Sequence, residues 1–283
     1  MPTFGAPDGI PLAYRVLGAG PDLLFLPGGP MRDAAYLGDL GGLSDIYRLI
    51  IPDLRGTGES AVPEDLSTCR CDRLVDDVEA LRAHLGLDQI DLLGHSAGAN
   101  IAVRYAERHP RRIRRMLLIT PSTRAVGLTA TYQQRLELVR RRRHEAWYPE
   151  VAAAFERINT GRALEDDWPT IAPLYYGRWD ATARAHDAAG EEQANEAAAD
   201  AYGADGAFDP DVTRAALGRL GSPVLLLAGE IDTGTPPAVA AEYAAMFPRC
   251  ELVIQPGAGH YPWLDDATEF NALISHFLAG EGA

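Results

Sequence analysis

The chain has 283 residues, with 26 basic side chains against 40 acidic ones and a formal net charge of −14. That length suits one large domain carrying an insertion better than two independent domains, and an apolar content of 47% is ordinary for a packed core. The acidic balance argues against a nucleic-acid surface, which needs positive potential to displace phosphate counterions.

Every basic residue is arginine. The three cysteines, Cys69, Cys71 and Cys250, form neither a disulfide framework nor a zinc spacing. The opening MPTFGAPDGI has no basic patch leading into an apolar stretch, so no signal peptide is expected. No apolar run approaches the roughly 20 residues that span a bilayer. The expectation is a soluble, cytoplasmic protein with no membrane or nucleic-acid partner; the oligomeric state is left open.

In chain order, the first apolar runs are Leu12–Val16 and Leu23–Leu26, set off by Pro7-Asp8-Gly9 and by Gly18-Ala19-Gly20-Pro21-Asp22. Both separators are turn chemistry, and a hairpin start is predicted. Pro27-Gly28-Gly29-Pro30 closes the second run. Arg48–Ile51 is the next strand, followed by Asp53-Leu54-Arg55-Gly56-Thr57-Gly58-Glu59-Ser60. Leu74, Val78, Leu81 and Leu85 then share one helical face, with Asp72 as the expected cap and Gly86 as the stop.

Ile90–Leu93 is apolar at every position and stops at Gly94-His95-Ser96-Ala97-Gly98. A helix from Ser96 to His109 follows, ended by Pro110, and then a strand, Met116–Ile119. Continuous apolar runs suit strands covered on both faces, as in a parallel sheet. The arginine clusters 111–115 and 140–143 lie among acidic residues and read as solvated faces. From Ser122 to about Pro210 no strand is predicted, only helical runs: Leu128–Trp147, Glu150–Ile158, a stretch through Trp168–Trp179, and Glu191–Ala201. Val224–Leu227 and Leu252–Ile254 resume the strands, with helices Pro236–Phe247 and Trp263–Leu278 after them. The pattern predicts an α/β fold with a mostly parallel central sheet flanked by helices. A core of residues 1–121 and 213–283 is interrupted by a helical cap, 122–212.

The serine between two glycines is the first candidate for chemistry. GxSxG after a strand and before a helix places the serine on a sharp turn with its hydroxyl exposed. Such a serine requires an acid and a histidine further along. Ala228-Gly229-Glu230-Ile231-Asp232 follows one late strand, and Gln255-Pro256-Gly257-Ala258-Gly259-His260 follows the last. Carboxylates and imidazoles just past strand ends face the crevice where ligands bind. Asp232 is preferred to Glu230, which sits closer to its strand. His95 is read as packing beside the serine. Gly29 and Ala97 supply the two backbone N–H groups expected to form an oxyanion hole.

These motifs resemble those of the α/β-hydrolases, and the resemblance runs over essentially the whole length. Asp53 to Ser60 resembles that family's DxRGxGxS loop, where Arg55 and Asp53 are expected to fix loops. The GGP turn and the cap position are similar to the proline iminopeptidase branch. That branch usually reads HGGPG, DQRGxGxS and GGSWG, where this chain has Pro27-Gly28-Gly29-Pro30-Met31, Asp53-Leu54-Arg55 and Gly94-His95-Ser96-Ala97-Gly98. The substitutions spare the general machinery and weaken the case for aminopeptidase specificity.

The resemblance implies a serine hydrolase of a small-molecule ester, lactone or amide, with Ser96 as nucleophile, His260 as base and Asp232 as its orienter. No cofactor or metal is implied. A proline iminopeptidase-like aminopeptidase is the alternative, and a non-hydrolytic biosynthetic enzyme or ligand-binding protein on the same fold is the alternative of another class. Tyr175, Tyr176 and Trp179 in the cap are expected either to line a substrate pocket or to pack the cap. Asp180, Glu191, Glu192 and Glu196 are candidate amine ligands or solvated faces.

Overall fold

In the computed structural model, residues 1–280 are described. The sheet has eight strands: β1 (Thr3–Gly5), β2 (Pro11–Leu17), β3 (Asp22–Leu26), β4 (Arg48–Pro52), β5 (Ile90–His95), β6 (Ile113–Ile119), β7 (Val224–Gly229) and β8 (Cys250–Gln255). Their spatial order is β1-β2-β4-β3-β5-β6-β7-β8; β2 pairs antiparallel with both β1 and β4, and every other pair is parallel.

The continuous apolar runs are explained by two cores, one on each face. Leu24, Leu26, Leu92, Leu118 and Leu226 join one cluster; Leu23, Phe25, Leu93, Leu117 and Leu225 join the other. Successive side chains of a strand point to opposite faces, so a strand covered on both sides is apolar at every residue. Helices α1 (Cys71–His84), α2 (Ala97–Arg108), α9 (Pro210–Leu217) and α10 (Pro237–Ala244) cover the first face, and α12 (Ala267–Ala279) the second.

The initial hairpin is β1 with β2, turning at residues 6–10. The second separator does not make a hairpin. β2 pairs with β4, and β3 crosses to lie between β4 and β5. Asp72 is not the cap of α1 either. Arg70 holds that position, and Asp72 lies in the first turn with its carboxylate on the Arg70 guanidinium.

The segment between β6 and β7 contains no strand. It holds α3 (Tyr132–Arg141), α4 (Tyr148–Asn159), α5 (Asp167–Thr170), α6 (Ala181–Ala188), α7 (Gly190–Gln193), α8 (Glu196–Tyr202) and α9. The helix expected over Leu128–Trp147 is shorter, because Thr131 and Gln134 close a capping box that starts it at Tyr132. Val139, Val151, Ala154, Phe155, Ile171 and Leu174 form a small core of their own, whereas Ala198 and Tyr202 of α8 join the main core. Arg142 departs from the solvated reading of its cluster. It is 4% exposed and donates to the carbonyls of Pro173, Tyr176 and Gly177. The short α11 (Pro262–Asp265) precedes α12. Among the described residues, no helix is long and apolar enough to cross a membrane.

Candidate active site

Three loops at the carboxyl ends of β5, β7 and β8 converge. Ser96 follows β5 at φ +51° and ψ −120°, a conformation that L-residues adopt only when the surroundings enforce it. The enforcement is visible. The Ser96 N–H donates to the Ile119 carbonyl at 3.1 Å, and its carbonyl accepts from Ser122 at 2.9 Å and Ala99 at 3.1 Å. The flanking glycines are steric requirements. A Cβ at Gly94 would stand 2.8 Å from the Ala99 Cα, and one at Gly98 2.2 Å from the Leu26 carbonyl oxygen.

His260 lies five residues past β8. Its Nε2 is 2.9 Å from the Ser96 Oγ, and its Nδ1 is 3.0 Å from the Asp232 Oδ2. Asp232 is fully buried, and its other oxygen accepts the Gly234 N–H at 2.8 Å. Both sides of the carboxylate are thereby engaged, so its orientation toward the imidazole is fixed. Glu230 faces away and accepts the Gly257 N–H. The structure thus brings together Ser96, Asp232 and His260, and leaves Glu230 outside.

The histidine loop is held from several directions. The His260 N–H donates to the Tyr175 carbonyl at 2.7 Å, and its own carbonyl accepts from Thr120 Oγ1 at 2.8 Å and His95 Nε2 at 2.9 Å. The Asp265 carboxylate accepts N–H groups from Gly259 on this loop and from Gly177 and Arg178 on the cap. Arg142, by holding the carbonyls around Tyr176, secures the same cap segment from its other side.

Gly29 follows β3 at φ +124°, and a Cβ there would meet the Arg32 nitrogen at 2.6 Å. The Gly28 N–H is occupied by the Tyr36 hydroxyl at 2.7 Å. Among the described residues, the N–H groups of Gly29 and Ala97 donate to nothing. Ala97 opens α2, whose amino-terminal dipole end is positive.

His95 is buried, and burial with the neighbouring His260 ring holds its pKa well below the usual histidine value. Its hydrogen bonds agree with a neutral ring. Nε2 can only donate to the His260 carbonyl, so Nδ1 accepts from the Tyr36 hydroxyl at 2.7 Å.

Above Ser96 opens a cleft of about 500 Å³. Tyr175 lines it, its ring edge-on to that of His260 with centroids 6.0 Å apart. Tyr176 and Trp179 do not line it. Tyr176 is buried, stacks on Tyr261 and bonds His186 Nδ1 at 2.8 Å, and Trp179 packs against Tyr176. The named cap acids stand elsewhere too. Asp180 caps α6 by accepting the Ala183 N–H, and Glu191, Glu192 and Glu196 are exposed on α7 and α8. The acid that reaches the cleft is Asp187, whose pKa is raised by burial. Arg32, Arg124 and Arg135 also line it, with Tyr36, Ser122 and Thr235. No motif marks these residues, since they reach the cleft from separate segments of the chain.

The sequence matches the model of a family described as alpha/beta hydrolase fold over residues 21–267. A putative carbamate hydrolase, RutD, from Agrobacterium fabrum is 27% identical over 269 residues, covering 91% of this chain and 93% of that protein. A proline iminopeptidase from Saccharolobus solfataricus is 34% identical over 125 residues, 44% of this chain and 40% of its own length. Three further curated matches are similarly partial, spanning 35–38% of their proteins, whereas others cover 94–98% of this chain at 25% identity. Among solved structures, a thermophilic esterase from Thermogutta terrifontis superposes with a TM-score of 0.68 at 25% identity, covering 98% of this chain and 97% of that one. With the model matched from before β3 to the start of α12, the chain belongs to the alpha/beta hydrolase fold family.

Proposed function

We propose that the protein is a serine hydrolase that cleaves a small ester, lactone or amide through an acyl-enzyme on Ser96. The observation that carries this reading is the continuous hydrogen-bonded line from Asp232 through His260 to Ser96, at 3.0 and 2.9 Å. In this mechanism His260 Nε2 takes the Ser96 hydroxyl proton as Oγ attacks the acyl carbonyl, then delivers it to the leaving group. Asp232 holds the Nδ1–H tautomer and stabilises the imidazolium. The free N–H groups of Gly29 and Ala97 receive the developing oxyanion, each worth about 3 kcal/mol of transition-state stabilisation. Water activated by His260 then releases the acid. The similarity to an esterase and to a putative carbamate hydrolase over nearly the full chain supports acyl transfer as the reaction class.

The test is Ser96→Ala on short-chain aryl esters, with a fluorophosphonate probe on the native protein. Turnover should fall by about 10⁶, as for triad serines elsewhere, and the probe should add one mass at Ser96. Undiminished hydrolysis by the variant would overturn the assignment.

One observation favours a second reading, an aminopeptidase of the proline iminopeptidase kind. Asp187 places a carboxylate in the cleft where a substrate amine would be met. Faster cleavage of proline arylamides than of aryl esters would decide for it. A ligand-binding protein would have no need of all three side chains in register.

A further inference from the structure

The cleft inverts the charge of the molecule that surrounds it. The chain carries −14, yet the residues that line the cleft include three arginines against one aspartate. Two of those arginines are committed to the protein. Arg32 bonds Gln193 Oε1 at 2.9 Å and the His186 carbonyl at 3.0 Å, and lies over the Tyr36 ring. Arg124 reaches the Gly203 carbonyl at 3.3 Å and lies over Phe208.

Arg135 differs. Among the described residues its guanidinium has no hydrogen-bond partner and no counter-ion, and its Nε is shut off from solvent without an acceptor. It also sits at the end of the first turn of α3, whose cap is Thr131. That is the positive end of the helix dipole, where a cation is disfavoured. A buried donor left unpaired is costly as well. Local rules broken twice at one residue of a cleft mark a functional position. Arg135 lines the same cleft as Ser96, His260 and Tyr175, whose ring stands edge-on to His260.

We propose that Arg135 binds a carboxylate on the substrate, so that the molecule cleaved here carries a free acid group apart from its scissile bond. A planar guanidinium matches a carboxylate with two parallel N–H donors. A phosphoryl group, bearing nearly two charges, would call on a second free cation, and Arg32 and Arg124 are engaged. The word substrate rests on the hydrolase reading of Ser96; the binding does not.

The test separates the two. Ser96→Ala protein is titrated calorimetrically at pH 7.5 with monomethyl adipate and with dimethyl adipate, its neutral counterpart. The monoacid should bind at least tenfold more tightly. Arg135→Gln in the same background should abolish that preference, and Arg135→Lys, which keeps the charge and loses the fork, should retain only part of it. Circular dichroism checks that each variant is folded. A monoacid that binds no better than the diester, or a preference undiminished in either variant, overturns the proposal. Turnover of both esters by the native protein is the separate arm. Hydrolysis without Arg135-dependent binding removes the carboxylate site and leaves the hydrolase. Arg135-dependent binding without hydrolysis does the reverse.

Discussion

The Nε2–H of His95 donates to the backbone carbonyl of His260 at 2.9 Å. The consequence runs across the site. With that proton assigned, His95 Nδ1 accepts from the Tyr36 hydroxyl, and the hydroxyl accepts from the Gly28 N–H. Three buried groups therefore link the loop after β3, which carries Gly29, to the loop after β8, which carries His260. The residue before Ser96 serves as the spacer between the two.

Tyr36→Phe should show what this link is worth. The substitution leaves the Gly28 N–H and His95 Nδ1 unpaired in a buried place. An unsatisfied buried group costs about 1–3 kcal/mol, and loosening of the two loops should lower kcat roughly 10- to 100-fold. Urea unfolding and ester turnover measure the two effects. Unchanged kcat with lowered stability would reduce Tyr36 to a packing residue.

Ser96→Gly should abolish turnover and raise stability. At φ +51° and ψ −120° a serine is strained and a glycine is not. Relief of about 1 kcal/mol corresponds to a Tm increase of roughly 2 °C in a chain of this size. Differential scanning calorimetry at one pH checks it, and a lower Tm would show that the bond from Ser96 Oγ to His260 outweighs the strain.

Two histidines give a pH dependence with a definite sign. Burial drives the pKa of His95 well below its ordinary value, and burial with the nearby Arg32 charge lowers that of His186 to about 4. Both are neutral in the folded protein at pH values where the unfolded chain, with a histidine pKa of about 6.5, already binds protons. Their contribution is complete above about pH 6.5 and is lost as pH falls, down to about 4 for His186. Ring ¹⁵N spectra should show both imidazoles untitrated from pH 8 to 5.5. The slope of unfolding free energy against pH over 7.5 to 5.5 should be shallower in His186→Asn than in the native protein. Titration of His95 near pH 6.5 would contradict the hydrogen-bond assignment.

Arg55 shows how the turn after β4 is fixed. Its guanidinium takes both oxygens of the Asp77 carboxylate on α1 at 2.6 Å and also reaches Asp8 in the first hairpin. Arg55 and Asp77 are both buried. Arg55→Ala would strand the Asp77 charge, so a loss of about 3–5 kcal/mol is expected, seen as a fall in urea midpoint. Replacing both, Arg55→Met with Asp77→Leu, should recover much of it. A single variant of native stability would mean that water reaches Asp77.

The sequence by itself determined what short-range geometry determines. Strands covered on both faces must be apolar at every position, and so β3, β5 and β7 were legible from Leu23–Leu26, Ile90–Leu93 and Val224–Leu227. A serine at positive φ needs small neighbours where Ala99 and the Leu26 carbonyl press in, and so Gly94 and Gly98 announced the turn. Asp232 and His260 could be picked out as neighbours of Ser96 because each follows a strand end that a parallel sheet delivers to one edge. The tertiary structure decided what depends on segments far apart in the chain. Strand order was one such matter, since β3 lies between β4 and β5 instead of beside β2. Asp232 was preferred to Glu230 from the sequence only by its greater distance from the strand end; that it faces His260, 28 residues away, while Glu230 turns to Gly257, is a tertiary matter. The cleft wall was another: Tyr176 and Trp179 turn into packing, while Arg135 and Asp187 arrive from two different cap helices. The local code of a helix specifies that it forms and which residues share a face. Which face meets Ser96 depends on how the cap is seated, and contacts such as those of Arg142 and Asp265, made across tens of residues, fix that seating.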